Sequence, residues 1–271
     1  MLAYYSATAP EDFWTEHWGG HTVDELLAIA AVSPLTTLIT RVLPREGLVL
    51  EAGCGLGQYV ILLRQRGWRA AGVDGSVAAL ATTRRAAPVP LAASDLRALA
   101  IRSGAVAAYV SLGVVEHDPD GPDAILAEAH RVLAPGGILV VSVPYLNGAR
   151  RLGAPWIRRR ARAVAAAGGA FYQYAFSRRE LLAALARQGF VAQAAHPYDP
   201  ARLLRSALPR VVVARVRRRP AAPAGAAPSR PPAAGSAGPR GRLARLVRWA
   251  LYTEPALRLL GHMLLVVARR P

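Results

Sequence analysis

Three glycines at alternate positions, Gly53, Gly55 and Gly57, separate a short apolar segment from a segment with helical periodicity. A side chain here would collide with a ligand lying across the strand end, whereas bare backbone lets the ligand approach the N–H groups of the next helix. Asp74 ends the next predicted strand, about 20 residues on, where a carboxylate can bind a pair of ribose hydroxyls. Asp95 ends the third. These residues predict a site for a ribose-containing cofactor, although a glycine cluster alone also fits a tight turn.

One histidine is placed to act as a base. His117 follows the fourth predicted strand, at the same edge of the sheet as the glycines. An imidazole has an ordinary pKa near neutrality, which suits proton abstraction. The alternative is that Glu116 and His117 only cap the following turn or shape the pocket. Tyr172 and Tyr174 precede a predicted helix, where they either reach the reacting group or serve as lid or core aromatics.

Other polar clusters do not predict chemistry. His117 and the aspartates that follow it are interrupted by Pro119, Gly121 and Pro122, which is typical of a turn before a helix and not of a metal site. We therefore predict no metal. Cys54, the single cysteine, lies inside the glycine motif and is interpreted as a small buried residue.

The order of these motifs resembles the class I S-adenosylmethionine (SAM)-dependent methyltransferases. GLVLEAGCGLG (47–57) resembles the first motif of that family and GVDGS (72–76) the second. SDLRAL (94–99) resembles the third, AAYVSLGVVEH (107–117) the fourth, and LAEAHRVLAPGGILVVSVP (126–144) the stretch after it. The similarity covers roughly residues 47 to 198, and the combination is more specific than any one motif.

The resemblance assigns roles to residues of this chain. Glu51 and the turn formed by Gly53, Cys54, Gly55 and Gly57, together with Ala52 before it, would hold the methionine end of SAM. The remaining contacts would be Asp74 and Gly75 at the ribose, Ser94, Asp95 and Leu96 at the adenine, and Leu112 and Gly113 at the methionine part by backbone. The reaction requires positioning and exclusion of water more than a signature catalytic residue.

A nicotinamide-dependent oxidoreductase is the main rival interpretation. Its fingerprint is G-x-G-x-x-G, whereas the third glycine here comes one residue early, at Gly57. Glu51 before the turn suits a cofactor that carries an ammonium group, and it would not suit a phosphate. The sequence therefore favours SAM.

The chain alternates short apolar runs with helical patterns from residue 48 onward, which predicts an α/β fold with a mostly parallel sheet and helices on both faces. The resemblance implies a Rossmann-like seven-stranded sheet whose last strand is antiparallel. That strand is assigned to 263–268, or alternatively to 211–216. We predict a helical and aromatic N-terminal cap over 1–44, a SAM-binding core over 45–199, a basic helical insertion over 200–260 with a disordered linker at 220–240, and the final strand within 261–271.

Charge is distributed very unevenly along the chain. Residues 1–150 hold 11 arginines and 14 acidic residues, a net charge of −3, whereas residues 151–271 hold 23 arginines and 3 acidic residues, a net charge of +20. All basic residues are arginine, which we interpret as a coding bias. The basic residues concentrate in a loop after the fifth strand, around Trp156, and in an amphipathic helix predicted over 241–251. This asymmetry predicts an anionic partner for the second half, such as an anionic membrane.

These observations lead to one functional prediction and one alternative. We expect SAM-dependent methyl transfer to a small-molecule, lipid-linked or glycan-linked acceptor, at oxygen or nitrogen more than carbon. The alternative is a SAM-binding, catalytically silent protein that binds RNA or a membrane. Methylation of nucleic-acid bases is disfavoured because SLGVVEH replaces the Asn/Asp-Pro-Pro-aromatic motif. With no run of about 18 apolar residues and no signal peptide, we expect a cytoplasmic protein, or one held peripherally at the inner membrane face.

Overall fold

The computed structural model of the chain describes residues 1–7, 14, 17–200, 202 and 249–271. The predicted linker at 220–240, the alternative last strand at 211–216 and most of the predicted basic helix at 241–251 lie outside the described residues. The boundaries predicted for the insertion therefore stay a prediction.

The described residues form a seven-stranded mixed sheet and a small two-stranded sheet. The strands are β1 (Leu2–Ser6), β2 (Val49–Ala52), β3 (Ala70–Asp74), β4 (Leu91–Ala93), β5 (Val106–Leu112), β6 (Leu133–Pro144), β7 (Ala170–Ala175), β8 (Val191–Tyr198) and β9 (Met263–Arg269). The large sheet has the order β4-β3-β2-β5-β6-β9-β8. The pairs from β4 to β6 are parallel, and β9 is antiparallel to both β6 and β8.

Helices connect these strands in the expected alternation. They are α1 (Val23–Val32), α2 (Pro34–Val42), α3 (Gln58–Gln65), α4 (Val77–Ala86), α5 (Asp123–Val132), α6 (Gly148–Leu152), α7 (Ala154–Ala166), α8 (Arg178–Arg187) and α9 (Glu254–Leu260). Their starts are encoded locally: the Ser76 hydroxyl accepts from Ala79 N at 3.3 Å, and Ser177 and Glu180 form a reciprocal capping box.

Helices cover both faces of the large sheet. Along β5, Val106 and Tyr109 belong to one buried cluster, together with residues of α5 and α8, while Ala108 and Val110 belong to another, together with residues of α1, α2 and α3. Side chains of a strand alternate between faces, so an apolar run such as β5 needs cover on both sides. The predicted α/β fold with a mostly parallel, seven-stranded sheet is confirmed.

The end of the chain supplies an inner strand of this sheet. Met263–Arg269 lies between β6 and β8 and pairs with both along its whole length. Of the two segments left open by the sequence, this is the one that the structure places in the sheet. β9 therefore begins more than 60 residues after β8 ends, and it completes the sheet beside β6.

The sequence did not predict the small sheet. β1 pairs antiparallel with β7, with Leu2 opposite Ala175 and Ser6 opposite Ala170. Most side chains of β1 and β7 are partly exposed, so these strands lack the unbroken apolar sequence of the central strands. The pairing holds the N-terminus beside the segment that carries Tyr172.

In the described residues, no single helix is long and apolar enough to cross a membrane. The pair formed by α1 and α2, bent by 73°, meets the same criteria of length and composition.

Candidate functional site

The glycine turn after β2 is held by backbone geometry and by one carboxylate. Gly53, Gly55 and Gly57 all have positive φ, which residues with a side chain rarely adopt. A Cβ on Gly53 would lie 2.4 Å from the Val114 side chain. The N–H of Gly55 donates to Asp74 Oδ2 at 2.7 Å, which ties the turn to the end of the next strand.

Gly57 has a structural role at the start of α3. It is the left-handed N-cap of α3, and a Cβ there would lie 2.8 Å from Thr83 of α4. Gly57, Gly55 and Ala52 do not line the cavity described below, and their predicted cofactor contacts stay predictions.

Glu51 ends β2 and is 3% exposed. Its Oε2 accepts from Val60 N at 3.0 Å in the first turn of α3, so the carboxylate lies at a helix N-terminus. Burial raises the pKa of Glu51 to about 8, opposed by the Val60 hydrogen bond and assisted by the charge of Asp74. A cationic group beside it would restore the ionised form.

Asp74 ends β3 and Asp95 lies two residues after β4, and the two carboxylates have different partners. Asp74 accepts from Gly55 N and, through Oδ1, from Ser76 N at 2.8 Å, which leaves lone pairs free on both oxygens. Asp95 is half-exposed and is paired with Arg97, whose NH2 lies 2.9 Å from Oδ2. This hydrogen bond lowers the pKa of Asp95.

These strand ends open into one large cavity of about 1350 Å³. We call the side built by the motifs the cofactor wall; the predicted site residues on it are Glu51, Gly53, Cys54, Asp74, Gly75, Ser94, Asp95, Leu96, Leu112 and Gly113. The structure therefore brings together most of the residues that the resemblance assigned to SAM. Cys54 is buried, and burial raises the pKa of its thiol, so it is no nucleophile.

A second set of residues that line the cavity comes from other parts of the chain. We call it the acceptor wall; its residues are Trp14, His17, Trp18, Glu116, His117, Tyr172, Tyr198, Arg202 and His262. Trp14 is stacked with Trp18 at a ring-centroid distance of 6.4 Å, and a Cβ on Gly55 would lie 2.3 Å from the Trp18 ring. Aromatic rings of the N-terminal segment thus lie directly over the glycine turn.

His117 has a fixed orientation on the acceptor wall. Its Nδ1 lies 2.7 Å from the carbonyl oxygen of Tyr172, so the proton on Nδ1 donates to that carbonyl and Nε2 carries the lone pair. The Trp14 ring contacts the imidazole edge-to-face at a ring-centroid distance of 4.7 Å. The Tyr172 ring also contacts the imidazole, at a ring-centroid distance of 5.2 Å. Burial lowers the pKa of His117, opposed by the Tyr172 carbonyl, which keeps the ring neutral at neutral pH.

Glu116, which the sequence did not single out as a site residue, is 1% exposed and also lines the cavity. Its Oε1 lies 4.0 Å from His117 Nε2, and within the described part of the chain its Oε2 has no hydrogen-bond partner. Burial raises the pKa of Glu116 to about 8, opposed by the N–H groups of Glu116 and Val114. The sequence signal was its place beside His117.

His262 and Tyr198 also line the cavity, although no motif in the sequence indicates them. His262 Nδ1 lies 3.0 Å from Arg150 NH2, and burial lowers its pKa to about 3. The Tyr198 hydroxyl lies 2.9 Å from Ser142 Oγ. Tyr198 ends β8 and His262 precedes β9, so both reach the cavity because β9 lies between β6 and β8. No local sequence pattern predicts this pairing.

The cofactor wall fits SAM at its methionine end. Glu51 is buried there, and within the described residues the side-chain oxygen of Gln58 is buried without a hydrogen-bond partner. The Glu51 carboxylate and the Gln58 amide oxygen can both accept hydrogen bonds, which the ammonium group of SAM must donate. Among the described residues no group of three or more His, Cys, Asp or Glu side chains is placed to hold a metal ion.

Comparison with known proteins agrees with this geometry. The family model described as a methyltransferase domain matches residues 50–141. A search of curated proteins found no match. A chain of the Haloferax volcanii complex that contains the Trm112 methyltransferase activator superposes with a TM-score of 0.58 at 18% identity, covering 98% of each chain.

Two further solved structures have the same fold. The SAM-dependent methyltransferase from Mesorhizobium loti has a TM-score of 0.53 at 19% identity, covering 89% of this chain and 99% of that chain. Geranyl diphosphate C-methyltransferase from Streptomyces coelicolor, solved with Mg²⁺, geranyl diphosphate and S-adenosylhomocysteine (SAH), has a TM-score of 0.52 at 19% identity, covering 84% and 74%. Residues 50–141 therefore match a methyltransferase domain, and the described residues have the fold of the class I SAM-dependent methyltransferases, whose cofactor is SAM.

Proposed function

We propose that this protein transfers the methyl group of SAM to an oxygen or nitrogen of a small-molecule, lipid-linked or glycan-linked acceptor, with His117 as the base. One observation carries the proposal. The Tyr172 carbonyl fixes the tautomer of His117, so that Nε2 carries the lone pair, and His117 lines the same cavity as the cofactor wall.

The roles of the chain's own residues follow from this arrangement. Glu51 and Asp74 bind the polar ends of the cofactor, and the backbone of Leu112 and Gly113 positions it. When bound, SAM supplies an activated methyl group. His117 takes a proton from the acceptor, while Trp14 and Trp18 exclude water from the glycine turn.

The size of the cavity supports an acceptor of modest size. Pockets for one small molecule typically measure about 300–1,000 Å³, and this cavity of about 1350 Å³ exceeds that range. The space suits a cofactor together with a second molecule. Aromatic side chains on the acceptor wall would pack against apolar parts of that molecule.

We also propose that the exposed face of α7 contacts an anionic membrane, which would hold a cytoplasmic protein at its inner face. Trp156 is 65% exposed, and Arg158, Arg159 and Arg160 beside it are exposed as well. The opposite face of α7 packs against β1. Each arginine near an anionic surface adds about 1 kcal/mol, and an interfacial tryptophan anchors such a helix.

The alternative function is SAM binding without catalysis. The Haloferax volcanii relative occurs in a complex with a methyltransferase activator, so a protein partner is a further proposal for this chain. A dependence on such a partner would make the isolated chain bind SAH without turning over.

Two measurements on the full-length protein separate these possibilities. Calorimetry should show binding of SAH and SAM and much weaker binding of NAD. Incubation with SAM carrying a deuterated methyl group and a cell extract should then give a deuterated product by mass spectrometry. Binding of NAD without SAH would refute the proposal. Binding of SAH with no product, in extracts that contain all cellular proteins, would support the silent alternative.

A further inference from the structure

Glu116 lines the cavity, and Oε2 of its carboxyl group has no hydrogen-bond partner among the residues that the structure describes. A buried carboxyl oxygen without a partner costs free energy, so a ligand that donates to it is favoured. Oε1 lies 3.6 Å from the position of a Cβ on Gly113, and Gly113 belongs to the cofactor wall. Glu116 therefore lies where the two walls meet, close to the backbone assigned to the methionine part of SAM.

A second acceptor of hydrogen bonds lies beside it. His117 Nε2 is 4.0 Å from Glu116 Oε1, and its lone pair is available because the proton is on Nδ1. The other ionisable groups whose charges act on this pair are Tyr172 and Tyr198, which interact with Glu116, and His17, which interacts with His117. Arg202 lines the same cavity and lowers the pKa of Tyr172.

We infer that Glu116 Oε2 and His117 Nε2 together form the subsite for the reacting group of the acceptor, and that this group is an amine. This inference rests on the proposed methyltransferase function and deepens it. An ammonium group has N–H bonds enough to donate to both atoms at once. A hydroxyl has one O–H and would leave one of the two atoms without a donor.

Glu116 and His117 supply the groups that methylation of an amine needs. The ammonium group is held by the Glu116 carboxylate, and His117 Nε2 removes one of its protons. The freed nitrogen lone pair forms the N–CH₃ bond as the CH₃–S bond breaks, and that electron pair remains on sulfur, which loses its positive charge. The methylated nitrogen is again an ammonium group, and the proton on His117 passes to solvent.

Sinefungin is a suitable probe, because it is a SAM analogue that carries an amine where SAM carries the transferred methyl group. The wild type should bind sinefungin about tenfold more tightly than SAH, which lacks this amine. In Glu116→Gln the preference should disappear, while SAH affinity changes by less than about threefold. Glu46→Gln, at an exposed glutamate, is the matched control and should keep the preference.

The result can separate this inference from the proposed function. If the wild type fails to bind SAH, the proposed function itself fails. If SAH binds but Glu116→Gln leaves the sinefungin preference intact, or weakens both ligands equally, Glu116 is structural and the inference is overturned.

A second experiment needs no variant. A cell extract is treated with sulfo-NHS-acetate, which acylates amines and leaves hydroxyls free under mild conditions, and is then offered to the wild type with deuterated-methyl SAM. Transfer should be lost relative to the mock-treated extract. Undiminished transfer to the acylated extract would show that the acceptor is not an amine.

Discussion

The cofactor wall and the acceptor wall line the same cavity, yet they are built in opposite ways. The cofactor wall comes from consecutive strand–helix units between residues 51 and 114, each ending at the same edge of the sheet. The acceptor wall combines Trp14, Tyr172, Tyr198 and His262, which are far apart in the sequence. A wall made of adjacent repeating units has a local signature, whereas a wall made of distant segments is visible only after folding.

The two walls also differ in chemistry. The cofactor wall presents acids and bare backbone, as a cationic cofactor with ribose hydroxyls requires. The acceptor wall presents aromatic rings and histidines, with Glu116 as a buried acid at the junction. Changes on the cofactor wall, and at the Trp18 ring that lies over Gly55, should therefore alter cofactor affinity, whereas changes at His117 should alter turnover.

The largest effect is expected on the cofactor wall. Gly55→Val should weaken SAH binding by at least about 100-fold, because the residue has positive φ and its Cβ would overlap the Trp18 ring. Gly104→Val is the matched control: Gly104 also has positive φ, but a Cβ there meets open space. Calorimetry should show normal SAH affinity for the control, and equal losses in both variants would attribute the effect to backbone strain alone.

The aromatic cover should have a smaller effect. Trp18→Ala removes the ring that lies over Gly55 and admits water to the turn, so SAH affinity should fall about tenfold. Trp249→Ala, at a tryptophan that is 72% exposed, is the control. Unchanged SAH affinity in Trp18→Ala would mean that the N-terminal rings belong to the acceptor alone.

The buried glutamates predict how stability depends on pH. Burial raises the pKa of Glu51 and of Glu116 from 4.5 to about 8, so the folded state keeps protons that the unfolded state has released. The free energy of unfolding should therefore fall as pH rises from about 5 to about 8, lowering Tm by several degrees, and should level off at higher pH. Glu51→Gln should flatten this dependence in thermal melts of the ligand-free protein, whereas a slope equal to that of the wild type would contradict the burial of a protonated Glu51.

The smallest effect concerns the basic surface of α7. The wild type should float with phosphatidylglycerol vesicles at low salt and less at high salt, because exposed charges are screened. Changing Arg158, Arg159 and Arg160 to Glu should reduce the floated fraction about twofold or more, since the C-terminal arginines remain. The same change at Arg41, Arg69 and Arg102, which are exposed elsewhere, is the control. A wild type that stays soluble under every condition would refute the membrane contact.

The meeting of the cofactor-wall residues at one edge of the sheet could be predicted from the sequence, because the signals for it are short-range; their contacts with SAM stay predictions. The strand before Gly53, the capping serine at position 76 and the capping box at Ser177 each depend on neighbours within a few residues. Glu51 and Asp74 were predicted because each lies at the end of a strand, and parallel strands bring such residues to one edge.

The small sheet and the acceptor wall could not be predicted, because they depend on pairing between strands that are far apart in the sequence. β1 and β7 pair across more than 160 residues, and β9 enters the sheet from the end of the chain. These pairings place Tyr172 and His262 at the cavity. Their energy comes from burial and strand hydrogen bonds between distant segments, which leave no periodic pattern in either segment alone. Glu116 was overlooked because a polar residue after a strand also fits a turn.

The central claim is that the cofactor wall binds SAM while His117, on the acceptor wall, activates the acceptor. The most direct test is methyl transfer by His117→Ala, measured beside its affinity for SAH. We expect kcat to fall roughly 100-fold while SAH affinity changes less than about threefold. Because burial lowers the pKa of His117, wild-type activity should stay level through the ordinary histidine range and fall only at lower pH. Normal turnover of His117→Ala at every pH would contradict the account.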